Sequence, residues 1–152
     1  MELVKNKTTM NNNFQDTPLE FKTSTKDQKI LNELLSREPL FHKPEHGREK
    51  GDLMAMTDER FFEVGASGEK YNRMNVVNNV TKRYEDPDYQ GVNSPPEDKW
   101  VVKDAFCRQL EGSTYLITYT LFQGERVTRR ATVWQKNNKN WKIIYHQGTI
   151  VQ

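Results

Sequence analysis

The chain has 152 residues and a formal net charge of +2, from 23 Lys and Arg against 21 Asp and Glu. That length suits one domain with a core of its own, and so balanced a charge excludes electrostatics as a reason to expect a nucleic-acid or anionic-membrane partner. A lone cysteine, Cys107, excludes an intrachain disulfide. No apolar run approaches a bilayer-spanning length, and Met1 to Phe21 lacks the apolar stretch and small-residue cleavage site of a secretory signal. The expectation is a cytoplasmic protein.

Residues 1–24 are rich in Lys, Asn and Thr and read as a flexible tail before a domain over 25–152. Thr25 and Gln28 have the spacing of a capping box. Ile30, Leu31, Leu34 and Leu35 then form an apolar stripe, which predicts a first helix over 26–37. Pro39 limits it, because the residue before a proline is pushed out of helical geometry. A loop over 39–47 leads to a second helix near 48–57, with Leu53, Met54 and Met56 as its apolar contacts. Arg60 to Ala66 reads as a short strand broken by Ser67-Gly68. Asn72 is the expected cap of a third helix, whose inner face is expected to be Met74, Val77, Val80 and Tyr84. Residues 85–98 hold three prolines and five acidic residues without periodicity, and read as a long loop.

The rest of the chain changes character. Lys99–Leu110, Thr114–Phe122, Arg126–Lys136 and Trp141–Val151 are β-rich runs separated by short polar breaks. Such breaks mark hairpins, so the runs predict an antiparallel meander. Helices first and strands last give an α+β class, with three N-terminal helices packed in the concave face of a curved, mainly antiparallel sheet. A twisted sheet wrapped over helices makes a cone, and the open end of a cone is a pocket.

Phe61-Phe62-Glu63-Val64-Gly65-Ala66-Ser67-Gly68, the strand Arg130-Ala131-Thr132-Val133-Trp134, and the final His146-Gln147-Gly148-Thr149 resemble the nuclear transport factor 2-like superfamily. The branch they look like is the bacterial domain of unknown function 4440, among the SnoaL-like and ketosteroid isomerase-like cones. Glu38-Pro39 also looks like that branch's pattern, and the resemblance spans roughly residues 28–150. It implies the cone fold and a homodimer paired through exposed sheet faces. It implies no single chemistry, because the superfamily includes isomerases, cyclases, an epoxide hydrolase, a transport factor and a kinase association domain. The 85–98 loop looks longer than the branch usually has.

Candidate site residues follow from residue chemistry within that frame. His146 titrates near neutrality and can act as acid, base or donor. Parity in the last strand groups Lys142, Ile144 and His146, and parity in the third groups Arg130 and Trp134. Glu63, in an apolar cone, would have a raised pKa and serve as a base; the competing structural role is an ion pair with Arg130 or another arginine that anchors the strand. Tyr119 completes the catalytic candidates, and Phe62, Tyr119, Arg130, Trp134 and His146 are the expected ligand-lining set. His42, Glu45 and His46 hint at metal ligands, but Pro44 breaks the helical spacing such a pair requires, so neither metal nor cofactor is expected. Cys107 reads as a plain thiol. Two functions stay open: a dimeric module for a small apolar or amphipathic ligand or for another protein, and an acid–base enzyme of isomerase, cyclase or hydrolase type.

Overall fold

The computed structural model describes residues 21–88 and 99–151. The helices are α1 (Gln28–Leu35), α2 (Lys50–Met56) and α3 (Arg73–Glu85), and the strands are β1 (Thr57–Val64), β2 (Lys70–Asn72), β3 (Val101–Glu111), β4 (Thr114–Gln123), β5 (Arg126–Asn137) and β6 (Asn140–Ile150). They form one six-stranded sheet in the order β2-β1-β6-β5-β4-β3. The helices cover its concave face, as the α+β reading expects. Among the described residues no helix is long and apolar enough to cross a membrane.

The four long strands start and stop within a residue or two of their expected bounds, because their turns are strongly encoded. Each hairpin closes in two residues, and the first of each pair has positive φ: Gly112 at 53°, Gly124 at 66° and Asn138 at 55°. Glycine and asparagine enter that region at little cost, and such turns match the twist of the flanking strands. The meander is joined by a strand that periodicity could not place. β1 runs parallel to β6, pairing Phe62 with Tyr145 and Glu63 with His146, and β2 folds back on β1 as a short hairpin.

The helical half departs further from its sequence reading. Thr25 makes no side-chain cap; residues 25–27 form a 3-10 turn and α1 begins at Gln28. Asn72 does cap α3, its side chain accepting from the Asn75 N–H at 2.8 Å. Met74 is 39% exposed, and Val76 takes its place beside Val77, Val80 and Tyr84 against the sheet. The α2–β1 corner is pinned by Arg73. Its Nε donates to Thr57 Oγ1 at 2.9 Å, and its Nη2 donates to the carbonyls of Met54 and Thr57. Thr57 is fully buried there, so the arginine supplies the acceptors of a helix end with the donors they need.

The core is filled by Leu31, Leu34, Leu53, Phe61, Ile117, Leu121, Trp134, Trp141 and Ile143, all nearly inaccessible to solvent. Removing such a side chain from water stabilises the fold by ~1.5–3 kcal/mol each, before ordering costs. Of the expected tail, residues 21–24 run along β3: Phe21 packs edge-on against Phe106, and the Cys107 N–H donates to Thr23 Oγ1 at 3.0 Å. Residues 1–20, and most of the expected 85–98 loop, lie outside the described residues.

Candidate functional site

The site forms because β6 does not keep its parity. Trp134 pairs with Ile143 and Val133 with Tyr145, so Ile144 is an extra residue bulged out of the ladder. A bulge reverses which face each following side chain meets. Trp141 and Ile143 point inward before it, and His146 and Gly148 point inward after it. The sequence parity that grouped Lys142, Ile144 and His146 is therefore wrong: His146 is on the inner face and the other two are not.

The inner face encloses a cavity of about 310 Å³. Its polar lining includes Glu38, His42, Glu63, Arg83, Arg126, Arg130 and His146, and its apolar lining includes Phe41, Val76, Val80 and Ile143. Glu63 and His146 enter it side by side from paired positions on β1 and β6. Of the sequence candidates, Glu63, Arg130 and His146 thus converge on one space. Phe62 does not: it is 49% exposed on the opposite face, packed on Tyr145 with ring centroids 4.9 Å apart. Trp134 is fully buried behind the cavity. Tyr119 is also buried, and its hydroxyl is committed elsewhere. A second hollow, of about 630 Å³, opens among Thr118, Tyr119, Arg129, Arg130, Gln147 and Thr149, so Arg130 lines both spaces, while Glu63 and His146 line only the first.

The acceptor for Tyr119 is Glu38, a buried carboxyl at the cavity that sequence reasoning did not single out. Its carboxylate accepts from the Tyr119 hydroxyl at 2.7 Å and from Trp134 Nε1 at 2.9 Å. It is 3% exposed. Burial pushes its pKa up, against the opposing pull of hydrogen bonds from Thr132, Tyr119 and Trp134 and of the Arg130 charge. The sequence carried one signal for it, the Glu38-Pro39 pair beyond the first helix, but nothing in the local pattern says that the chain turns inward there.

Thr132 couples this carboxyl to the histidine. Its hydroxyl lies 2.8 Å from His146 Nδ1. With the hydroxyl proton turned toward Glu38, Nδ1–H is the donor and Nε2 carries the lone pair. Among the described residues no protein group bonds Nε2. Burial, with the nearby Arg130 and His42, lowers the His146 pKa to about 3, so the ring is neutral. His42 is lowered to about 3 by burial and by Arg83, Arg130 and Arg126, and its ring meets Trp100 edge-on at 5.0 Å.

Glu63 is pushed the other way, its pKa raised by burial against the pull of Arg130 and Arg83. The ion pair weighed for Glu63 and Arg130 is not made: the carboxylate feels the guanidinium through space and not in contact. Cys107 is buried, its thiol pushed up to about 11 by burial and by Asp27, which suits an inert thiol. Among the described residues no cluster of His, Cys, Asp and Glu is arranged to hold a metal ion.

No protein-family model and no curated protein matches the chain. Solved structures do match in fold. A protein of unknown function from Pectobacterium atrosepticum, of the domain of unknown function 3225 family, is 14% identical with a TM-score of 0.56; the match covers 86% of this chain and all of that one. An uncharacterised protein with a cystatin-like fold from Caulobacter vibrioides is 13% identical with a TM-score of 0.56, over 80% of this chain and 89% of that one. A Streptomyces avermitilis protein described as a candidate dehydratase of the nuclear transport factor 2-like family is 12% identical with a TM-score of 0.58, over 82% and 97%. The chain has the nuclear transport factor 2-like, cystatin-like cone fold. These neighbours do not carry the finer placement in the 4440 branch.

Proposed function

We propose that the cone is the active site of an acid–base enzyme acting on a small molecule, within the 4440-like branch that the three sequence motifs resemble. The observation that carries this is the pairing of Glu63 and His146 on adjacent strands with both side chains lining one cavity. A carboxyl with a raised pKa is a better-matched proton acceptor near neutral pH than an ordinary one. Glu63 takes the proton. His146, held by Thr132 through Nδ1, receives a substrate O–H or N–H on Nε2 and orients it. Arg130 faces the same cavity and stabilises the negative charge that develops as the proton leaves. Proton abstraction beside a carbonyl, as in isomerisation or elimination, is the reaction class that uses all three.

The test is solvent-deuterium exchange. Small ketones and 2-oxo acids are incubated with the protein in D2O, and loss of the α-proton is followed by NMR. The unmodified chain is expected to exchange at least one of them faster than Glu63→Gln by roughly 10²-fold or more. Equal rates with and without Glu63, or no catalysed exchange across the set, sink the enzyme reading and leave a ligand-binding module.

Self-association belongs to the same proposal, supported by the exposed Phe62–Tyr145 pair on the outer face. Sedimentation of Phe62→Ser against the unmodified chain checks it: a dimer that weakens supports pairing through this face, and a monomer in both removes it.

A further inference from the structure

Arg130 is a half-buried guanidinium with no carboxylate against it. Its Nε donates to Thr128 Oγ1 at 3.1 Å, and the Tyr119 hydroxyl lies within reach of its charge. No ion pair to it is formed among the described residues. An arginine has more N–H donors than this one bond uses, and a cation withdrawn from water is costly unless paired. Thr128 is fully buried and Tyr119 is 2% exposed, so the fork is held in place by rigid neighbours. That is the arrangement of a prepared anchor.

The surroundings decide what the anchor takes. Around the cavity the guanidinium groups of Arg83, Arg126 and Arg130 outnumber the carboxyls of Glu38 and Glu63. Arg83 donates to the Phe41 carbonyl, and Arg126 donates to Gln123 Oε1 at 2.6 Å at the exposed rim. Both histidines are neutral. The lining is therefore of mixed charge. It suits an anion of one charge, whereas a dianion such as a phosphate monoester would crowd Glu38 and Glu63. About 310 Å³ is at the small end of ligand sites, and Val76 and Val80 give its wall an apolar patch.

We propose that the cone binds a small monocarboxylic acid, its carboxylate forked on Arg130 and its short apolar stem toward Val76 and Val80. This replaces the apolar or amphipathic ligand of the sequence reading with a more definite class. It deepens the acid–base reading, and rests on it only for the step from ligand to substrate.

The experiment titrates the full chain with butyrate, butyramide and inorganic phosphate, reading the Arg130 Nε–Hε and His146 ring signals by NMR. Butyrate should shift both signals saturably, and butyramide should not. Arg130→Gln should weaken butyrate by roughly tenfold or more, while Arg129→Gln, on the outer face, should leave it unchanged. Thermal unfolding checks that Arg130→Gln is folded; the acid-against-amide contrast in the unmodified chain stands without it. Butyramide binding as tightly as butyrate, phosphate binding where butyrate does not, or full affinity in folded Arg130→Gln each overturns the proposal. Butyrate binding without deuterium exchange on any acid sustains this inference and removes the enzyme reading. Exchange on uncharged ketones alone, without butyrate binding, does the reverse.

Discussion

Two carboxyls, Glu33 on α1 and Glu38 just beyond it, each receive a tryptophan N–H, and their pKa values shift in opposite directions. At the rim, Glu33 accepts from Trp141 Nε1 at 2.8 Å and from Lys136 at 3.4 Å, with its side chain one-third exposed. Its pKa is lowered, chiefly by the Trp141 bond. In the interior, Glu38 accepts from Trp134 Nε1 at 2.9 Å and from Tyr119, and its pKa is raised. The indole bond is shared, but Glu33 also meets the Lys136 ammonium, where Glu38 meets the neutral Tyr119 hydroxyl. Depth adds to that difference: water still reaches Glu33 and hardly reaches Glu38, and desolvation is the largest influence on Glu38. Burial and the charge of the second partner together set the two carboxyls apart.

The largest expected effect is at the buried member. Glu38→Ala leaves the Tyr119 hydroxyl and Trp134 N–H without their acceptor, and at about 1–3 kcal/mol for each stranded donor should cost roughly 2–6 kcal/mol. Glu33→Ala should cost about 1 kcal/mol or less, since its partners can turn to water. Urea unfolding of both variants measures the gap, and equal losses would break the comparison.

Next come the pH slopes, which should have opposite signs. Glu38 has a raised pKa in the fold, so its contribution is fully present below the ordinary value of 4.5 and is lost as pH rises through the folded value. Glu33 has a lowered pKa, so its contribution is present above 4.5 and is lost as pH falls. Glu38→Gln should therefore flatten the loss of stability on the neutral side, and Glu33→Gln the loss on the acid side. Urea midpoints from pH 3 to pH 8 show which limb each change removes.

Thr132→Val separates the interior network into its parts. It removes the hydroxyl between Glu38 and His146 at a cost of about 1–2 kcal/mol. It should also change the Nδ1 and Nε2 nitrogen shifts of His146, because the bond that selects the tautomer is gone. Unchanged shifts would mean that Thr132 does not orient the ring. The smallest effect belongs to Met74→Lys, expected within about 0.5 kcal/mol because that side chain is exposed.

The Met74 result also marks how far the sequence could be read. Its spacing put it on the inner face of α3, yet Val76 holds that position, because the hydrophobic stripe of a short helix is broad enough to be assigned one residue out. The hairpins were legible because Gly112, Gly124 and Asn138 satisfy a backbone requirement that is local to each turn. Glu63, Arg130 and His146 were legible as site candidates from residue type and motif. Phe62 and Trp134 were misplaced for opposite reasons: one points to the outer face, and the other lies behind the cavity wall.

By itself the sequence determined the α+β class, the four long strands and the capped third helix, since turns, caps and alternation are properties of neighbouring residues. The tertiary structure alone decided three things. It laid β1 parallel to β6, placing Glu63 beside His146. It bulged Ile144, turning His146 inward. It carried Glu38 into the interior against Tyr119 and Trp134. Each depends on contacts between residues far apart in the chain, and on a loss of water that no local pattern records.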